Sequence, residues 1–235
     1  MLIQSLASSS GGNCYRVSDG TTSLLLEAGI PLKKIAVKTG HTLSALAGCL
    51  VSHEHGDHSK AVKALLDYGV PCYMSWGTAD ALGLKSSDDL RILEHKVPTV
   101  ICGWKVLPFR VIHDAAEPMG FLIDTGYEER LLFLTDTGFS PFRFAGLTHM
   151  LVECNYQDAA LAQAIEEGRT HEAQLKRLRD NHMSEETLVQ LLLANDLRRM
   201  KEIHLIHLSD NNSDEAGMKE RIQRVAGCPV YVSAK

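Results

Sequence analysis

Between residues 53 and 58 the chain reads His53-Glu54-His55-Gly56-Asp57-His58, placing three imidazoles and the Asp57 carboxylate within one short loop. Few structural roles need that density of metal-binding side chains. His53 and His55, two positions apart, can project together from an extended or turning backbone, while Asp57 and His58 can face a second ion. A solvated His-rich loop would explain a single His-x-His, but not this segment with its embedded Asp and Gly. Neither pair completes a four- or five-coordinate ion with an open water position, so later segments must supply ligands. Three candidates stand at the ends of apolar runs: His113, Asp136 and His207. Asp136 can bridge both ions.

These residues need strands to carry them. The first part of the chain has short apolar segments separated by turns, at Leu2–Leu6, Cys14–Val17, Ser23–Glu27 and Cys49–Ser52. Between Ser59 and Tyr68, Ala61, Val62, Leu65 and Leu66 recur at helical spacing, so the His-rich segment lies on a loop between a strand and a helix. Further strands are expected at Val70–Met74, Trp104–Ile112, Met119–Asp124, Leu131–Thr135 and Thr148–Val152, with a short helix near Thr78–Leu82. From Ala159 to Lys201 the pattern turns helical, broken around Asp180–Ser184, where Ser184 can cap the next helix. A strand at Ile203–Leu208, a helix at Asp214–Val225 and a last strand at Val230–Ser233 follow. With no linker, repeat or low-complexity run, residues 1–235 are expected to form one α/β domain with helices outside packed sheets.

Composition narrows the class. The chain has 235 residues, 45% of them hydrophobic and 23% charged, enough for a substantial core. Lys and Arg number 24 against 29 Asp and Glu, and the net charge of −5 argues against a broadly basic nucleic-acid binder. No apolar run reaches a membrane span and the N-terminus is too quickly polar for a signal peptide, so no membrane role and a cytoplasmic location are expected. The six cysteines, at 14, 49, 72, 102, 154 and 228, form no Cys-x-x-Cys pair and read as reduced core residues. Oligomeric state stays open.

The pattern His-x-His-x-Asp-His, then His113, Asp136 in Thr-Asp-Thr-Gly, and His207, resembles the metallo-β-lactamase superfamily. Ser8 to Asn13, His113-Asp114-Ala115, Glu153-Cys154-Asn155, His182-Met183-Ser184 and His207 to Asn212 are similar to its YycJ-like (WalJ) branch, related to RNase Z-type phosphodiesterases and associated with nuclease activity. The resemblance implies an α/β fold, the four-layer αβ/βα sandwich, and two divalent metal ions, with zinc favoured and manganese or iron permitted. It implies that His53, His55 and His113 hold one ion and Asp57, His58 and His207 the other, with Asp136 between them. Glu27 departs from the Asp usual in the family, and Met183 and Glu185 replace the commoner Leu and Asn, which bears on ligand orientation and substrate fit.

The implied reaction is phosphodiester hydrolysis by water activated between two metals. DNA, cut from a 5′ end, is the expected substrate in preference to RNA. Asp57, His182 and Glu153 are the catalytic candidates: His182 resembles the proton donor of RNase Z-like relatives, and Glu153 would orient it. Against those roles, His182 can simply end a helix and Glu153 can be an ordinary strand-end carboxylate. Ser10, Gly12 and Asn13 can lend backbone N–H groups to a phosphate, and Lys176 and Arg179 can draw in a nucleic-acid backbone, although a turn and a solvated basic helix need no ligand. A phosphodiesterase for small cyclic or linear nucleotides is the alternative, since the same site serves both and the negative charge offers little grip on a polymer. Glyoxalase-type thioester hydrolysis leaves the His182 segment unexplained. A non-catalytic module recruiting repair partners should show lost ligands, and none is lost.

Overall fold

The computed structural model describes residues 1–84, 87–168, 171, 173–209 and 214–233, without the side chains of 173 and 174. Its contacts divide the chain into two compact units, Met1–Arg110 with Ala115–Glu128, and Val111–Asp114 with Glu129–Ser233.

In the first unit, β1 (Leu2–Ser9) and β2 (Gly12–Ser18) form an antiparallel hairpin, with Ser9 opposite Gly12. Gly12 is needed there: its φ is +158°, which is extended backbone, but a Cβ would lie 2.6 Å from the Gly29 carbonyl oxygen. β3 (Ser23–Leu26) pairs antiparallel with β2, and β4 (Gly48–Leu50), β5 (Cys72–Met74) and β6 (Leu90–Ile92) continue in parallel. All of β3 and β4 is buried, which is why these strands read as unbroken apolar runs rather than alternating ones. Helices α1 (Leu32–Lys38), α2 (Gly56–Ser59), α3 (Val62–Asp67) and α4 (Trp76–Ala81) follow their strands closely. Ile35, Val62 and Leu65 join Leu25, Cys14, Cys49 and Cys72 in one core cluster. β7 (Thr99–Ile101), β8 (Trp104–Arg110) and β9 (Met119–Asp124) make an antiparallel run.

In the second unit, β10 (Arg130–Leu134), β11 (His149–Glu153), β12 (Glu202–Ile206) and β13 (Val230–Val232) are all parallel, each beside the next. The intervening helices are α5 (Asp158–Glu166), α6 (Ala173–Asn181), α7 (Glu185–Leu193) and α8 (Glu215–Ala226). The expected cap at Ser184 is present: its hydroxyl accepts from the Thr187 N–H. Asp214 caps α8 and Gly227, at φ +67°, ends it in the left-handed region.

The structure differs from the sequence reading at three places. The first turn of α2 begins inside the His-rich segment, so Asp57 and His58 lie on a helix rather than a loop. Helix α1 was not expected, because only Leu32, Ile35 and Ala36 mark its buried face in seven residues. β6 and β7 are three residues each and mostly solvent-facing, too short for a period-2 pattern to be read from the sequence. All six cysteines are reduced, five of them buried, with Cys102 exposed. No helix among the described residues is long and apolar enough to cross a membrane. Residues 210–212 of the motif after His207 lie outside the described residues.

Candidate metal centre

In the first unit, β4 ends just before the His-rich segment, and the backbone there is fixed from both sides. The Val51 N–H donates to the Tyr73 carbonyl, and the Ser52 carbonyl accepts from Met119. The buried Ser52 hydroxyl lies 2.8 Å from His53 Nδ1, leaving Nε2 facing His55 Nδ1 at 3.0 Å. The rings of His53 and His58 are 4.3 Å apart, and Asp57 Oδ2 lies 3.2 Å from His58 Nε2. A carboxylate and three imidazoles thus converge within one turn of chain, a donor set suited to a divalent transition metal.

Behind these groups is a layer that orients them. Glu27, fully buried, accepts from the Ser52 N–H at 3.1 Å and lies 3.5 Å from His58 Nδ1. Burial pushes the Glu27 carboxyl upward despite His58 and the Ser52 hydrogen bonds. The Glu carboxylate at this position therefore reaches both the backbone just before the His-rich segment and a ring within it. Asn13, also fully buried, donates from Nδ2 to the Ser9 carbonyl at 3.0 Å and approaches His58 Nε2 at 3.3 Å and Asp57 Oδ2 at 3.4 Å. Tyr15 donates to Asn13 Oδ1 at 3.0 Å, and its own oxygen lies 2.8 Å from the Ser8 hydroxyl. Gly29 admits this packing: a Cβ would lie 1.6 Å from the Asp57 carbonyl oxygen. Gly12 and Asn13 are buried, whereas Ser10 is exposed at the hairpin tip.

The second unit gathers His113, Asp136, Glu153, His182 and His207. Ligand atoms of Asp136, Glu153, His182 and His207 all lie within 4.8 Å of one another. Asp136 and His207 follow β10 and β12 with φ of +48° and +55°, left-handed conformations that turn each side chain sharply off its strand end. Such strain, on the order of 1–3 kcal/mol each, persists where surrounding structure over-determines the residue. His113 Nε2 is 4.0 Å and His207 Nε2 3.8 Å from Asp136 Oδ1.

Glu153, at the end of β11 and fully buried, is the hub of this half. Its Oε1 accepts from His182 Nδ1 at 2.7 Å and from His207 Nδ1 at 3.0 Å. Its Oε2 accepts from the Thr137 and Met183 N–H groups, both at 3.2 Å. Burial works against the charge, but the His182 ring and these hydrogen bonds hold the carboxyl below its usual range. An ionised carboxylate can only accept, so both rings carry hydrogen on Nδ1 and present Nε2 to the site. His182 is held above its ordinary value: burial opposes the charge, and Glu153 and Asp136 outweigh it. His113 is pushed down by burial, which favours the neutral form that a ligand needs.

The basic side chains of α6 are exposed and each sits beside a carboxylate: Lys176 with Asp180 at 2.8 Å, Arg177 with Asp114 at 3.1 Å and Arg179 with Asp158 at 3.5 Å. Sequence reasoning missed Asn13 and Tyr15 as orienting groups. No local pattern marks them, because Asn13 meets Asp57 44 positions further on and Tyr15 acts only by holding Asn13.

The description β-lactamase superfamily domain matches residues 24–208. The chain is 29% identical over 238 aligned residues to exodeoxyribonuclease WalJ of Streptococcus pneumoniae, covering 94% of this chain and 87% of that protein. It is 28% identical over 221 residues to exodeoxyribonuclease YycJ of Bacillus anthracis, covering 89% and 83%. The crystal structure of the metallo-β-lactamase fold protein YhfI from Bacillus subtilis aligns with a TM-score of 0.74 at 14% identity, covering 99% and 97% of the two chains. That likeness establishes the fold expected from the motifs.

Proposed function

Because this chain belongs to the β-lactamase superfamily, we propose that it is a metal-dependent phosphodiesterase, specifically a nuclease that degrades DNA from a 5′ end. Two matched relatives are named exodeoxyribonucleases over most of their length. The observation that carries the reading is the Glu153 carboxylate accepting from His182 and His207 at once. Metal ligands alone suit many hydrolyses; the leaving oxygen of a phosphodiester also takes up a proton, which His182, steadied by Glu153, can supply.

We assign His53, His55 and His113 to one ion, Asp57, His58 and His207 to the other, and Asp136 to both. The support is the family's ligand pattern together with the donor geometry inside each unit. The imidazole-rich set suits zinc, and the two aspartates also admit manganese or iron. When bound, divalent ions supply Lewis acidity toward phosphate oxygens and activate water at neutral pH.

The chain's own residues do the rest. His182, charged and steadied through Nδ1 by Glu153, donates from Nε2 to the leaving oxygen. Glu153 and Asp57 are its catalytic companions, Glu153 by fixing the tautomer and Asp57 by holding the reacting centre beside His58. Ser10 faces a substrate phosphate from the hairpin tip, while Gly12 and Asn13 set the packing and the orientation of Asp57 and His58. Lys176 and Arg179 form the cationic approach: exposed pairs are worth about 0–1 kcal/mol, so a phosphate can replace their carboxylates. The match over 24–208 runs through both units, which supports residues 1–235 acting as one domain. We place that action in the cytoplasm, as a nuclease acting on DNA requires access to it.

Metal-loaded protein incubated with labelled single- and double-stranded DNA and RNA should shorten DNA from its 5′ end. Uncut nucleic acid throughout overturns the nuclease reading, and cleavage confined to a panel of small nucleotides replaces it with a nucleotide phosphodiesterase.

A further inference from the structure

The second unit holds a groove of about 300 Å³ lined by Phe139, Phe142 and Arg143 on the segment after Asp136, and by Thr187, Gln190 and Leu191 on α7. Lone exposed apolar residues are normal on protein surfaces. Phe139, 53% exposed, differs in being held firmly in place. The Thr137 hydroxyl donates to the Phe139 carbonyl at 2.9 Å, while the Thr137 N–H donates to Glu153. Gly138 packs so tightly that a Cβ would lie 2.4 Å from the Arg179 carbonyl oxygen. At the far end the Phe144 N–H donates to Asn195 Oδ1 at 2.6 Å. The aromatic face is therefore presented on a segment anchored at both ends, and its inner anchor is the same carboxylate that steadies His182.

The polar groups around it suit one kind of occupant. Arg143 is exposed, with no carboxylate partner among the described residues, unlike the three basic side chains of α6. Gln190 is exposed and its carboxamide has no hydrogen-bond partner among the described residues. A nucleobase offers a π-face for Phe139 and edge groups for Gln190, and its phosphate offers an anion for Arg143. The Cα of Phe139 is at most about 11 Å along the chain from that of Asp136, so a base seated there belongs to a nucleotide close to the reacting phosphodiester.

Resting on the nuclease reading above, we propose that Phe139, Arg143 and Gln190 form a base-stacking subsite that grips an unstacked nucleotide of single-stranded DNA. Stacking supplies grip that an acidic chain lacks in its overall charge, and it requires the base to leave its duplex neighbours.

The test measures binding of a short fluorescent single-stranded DNA by anisotropy in chelator, so that no turnover occurs, and KM for the same DNA with metal restored. Phe139→Ala should weaken binding and raise KM roughly tenfold, the effect of losing one stacked base. Phe139→Trp should restore both, and Arg143→Gln should weaken binding and flatten its salt dependence. An abasic nucleotide scanned along the DNA should reproduce the Phe139→Ala loss at one position and add nothing to it in that variant. Wild-type protein that cuts DNA, with Phe139→Ala and Arg143→Gln unchanged, overturns the subsite alone. Loss in Phe139→Ala that is indifferent to every abasic position overturns base stacking in favour of a structural or protein-docking role for Phe139. Wild-type protein that neither binds nor cuts DNA overturns the nuclease reading and the subsite with it.

Discussion

Glu153 Oε1 and His182 Nδ1 are 2.7 Å apart, and the same oxygen accepts from His207 Nδ1 at 3.0 Å. One buried carboxylate therefore sets the tautomer of a proposed proton donor and of a proposed metal ligand. In the proposed roles, the shared acceptor ties proton delivery by His182 to the ligand geometry of His207.

Glu153→Gln removes the negative charge and, with one oxygen still serving both rings, turns an NH2 group toward the Thr137 and Met183 N–H groups that now donate to Oε2. Its expected cost is about 10- to 100-fold in kcat, with weaker metal affinity as well, the usual scale for groups that orient ligands. His182→Ala should instead keep its metals and slow the chemical step by about 100- to 10,000-fold. Turnover measured beside elemental analysis separates the two, and full activity in His182→Ala removes the role assigned to it.

His58→Ala and Asp136→Ala should each abolish turnover and lower the metal content of the purified protein. Chelation of the wild type should do the same, and adding back zinc, manganese or iron one at a time identifies the ion that restores cleavage. Wild-type rates in either variant would remove the ligand assignment.

Gly29→Ala should destabilise the protein by more than the roughly 1–3 kcal/mol typical of overpacking. The added Cβ would lie 1.6 Å from the Asp57 carbonyl oxygen and 2.6 Å from the Asn13 nitrogen, both backbone atoms that cannot rotate away. Denaturant midpoints of the two proteins compared at equal m-value check this. A midpoint equal to the wild type's shows that the backbone here is softer than the packing implies.

His149 governs a pH effect remote from catalysis. Burial lowers it from 6.5 to about 4. A histidine depressed in the folded state contributes stability that is complete above pH 6.5, and is lost as pH falls from there toward 4. The loss is on the order of 2–3 kcal/mol. His149→Gln should have a flatter stability profile across that window, read from urea midpoints at stepped pH. Parallel profiles would show that His149 is not the group responsible.

Local sequence was sufficient to nominate the proposed metal ligands. His53, His55, Asp57 and His58 stand within six positions, and His113, Asp136 and His207 each end an apolar run, so spacing and strand periodicity located them. Met119–Asp124 coincides with β9, and Ser184 caps α7 as its residue type predicts. Tertiary structure alone decided what holds those groups in place. Asn13 meets His58 across 45 positions, and Glu153 meets His207 across 54. Glu27 reads in sequence as a departure, yet in the fold its longer side chain reaches both Ser52 and His58. A hydrogen bond depends on distance and direction between atoms, and those are set by sheet register and strand-end turns rather than by neighbours along the chain.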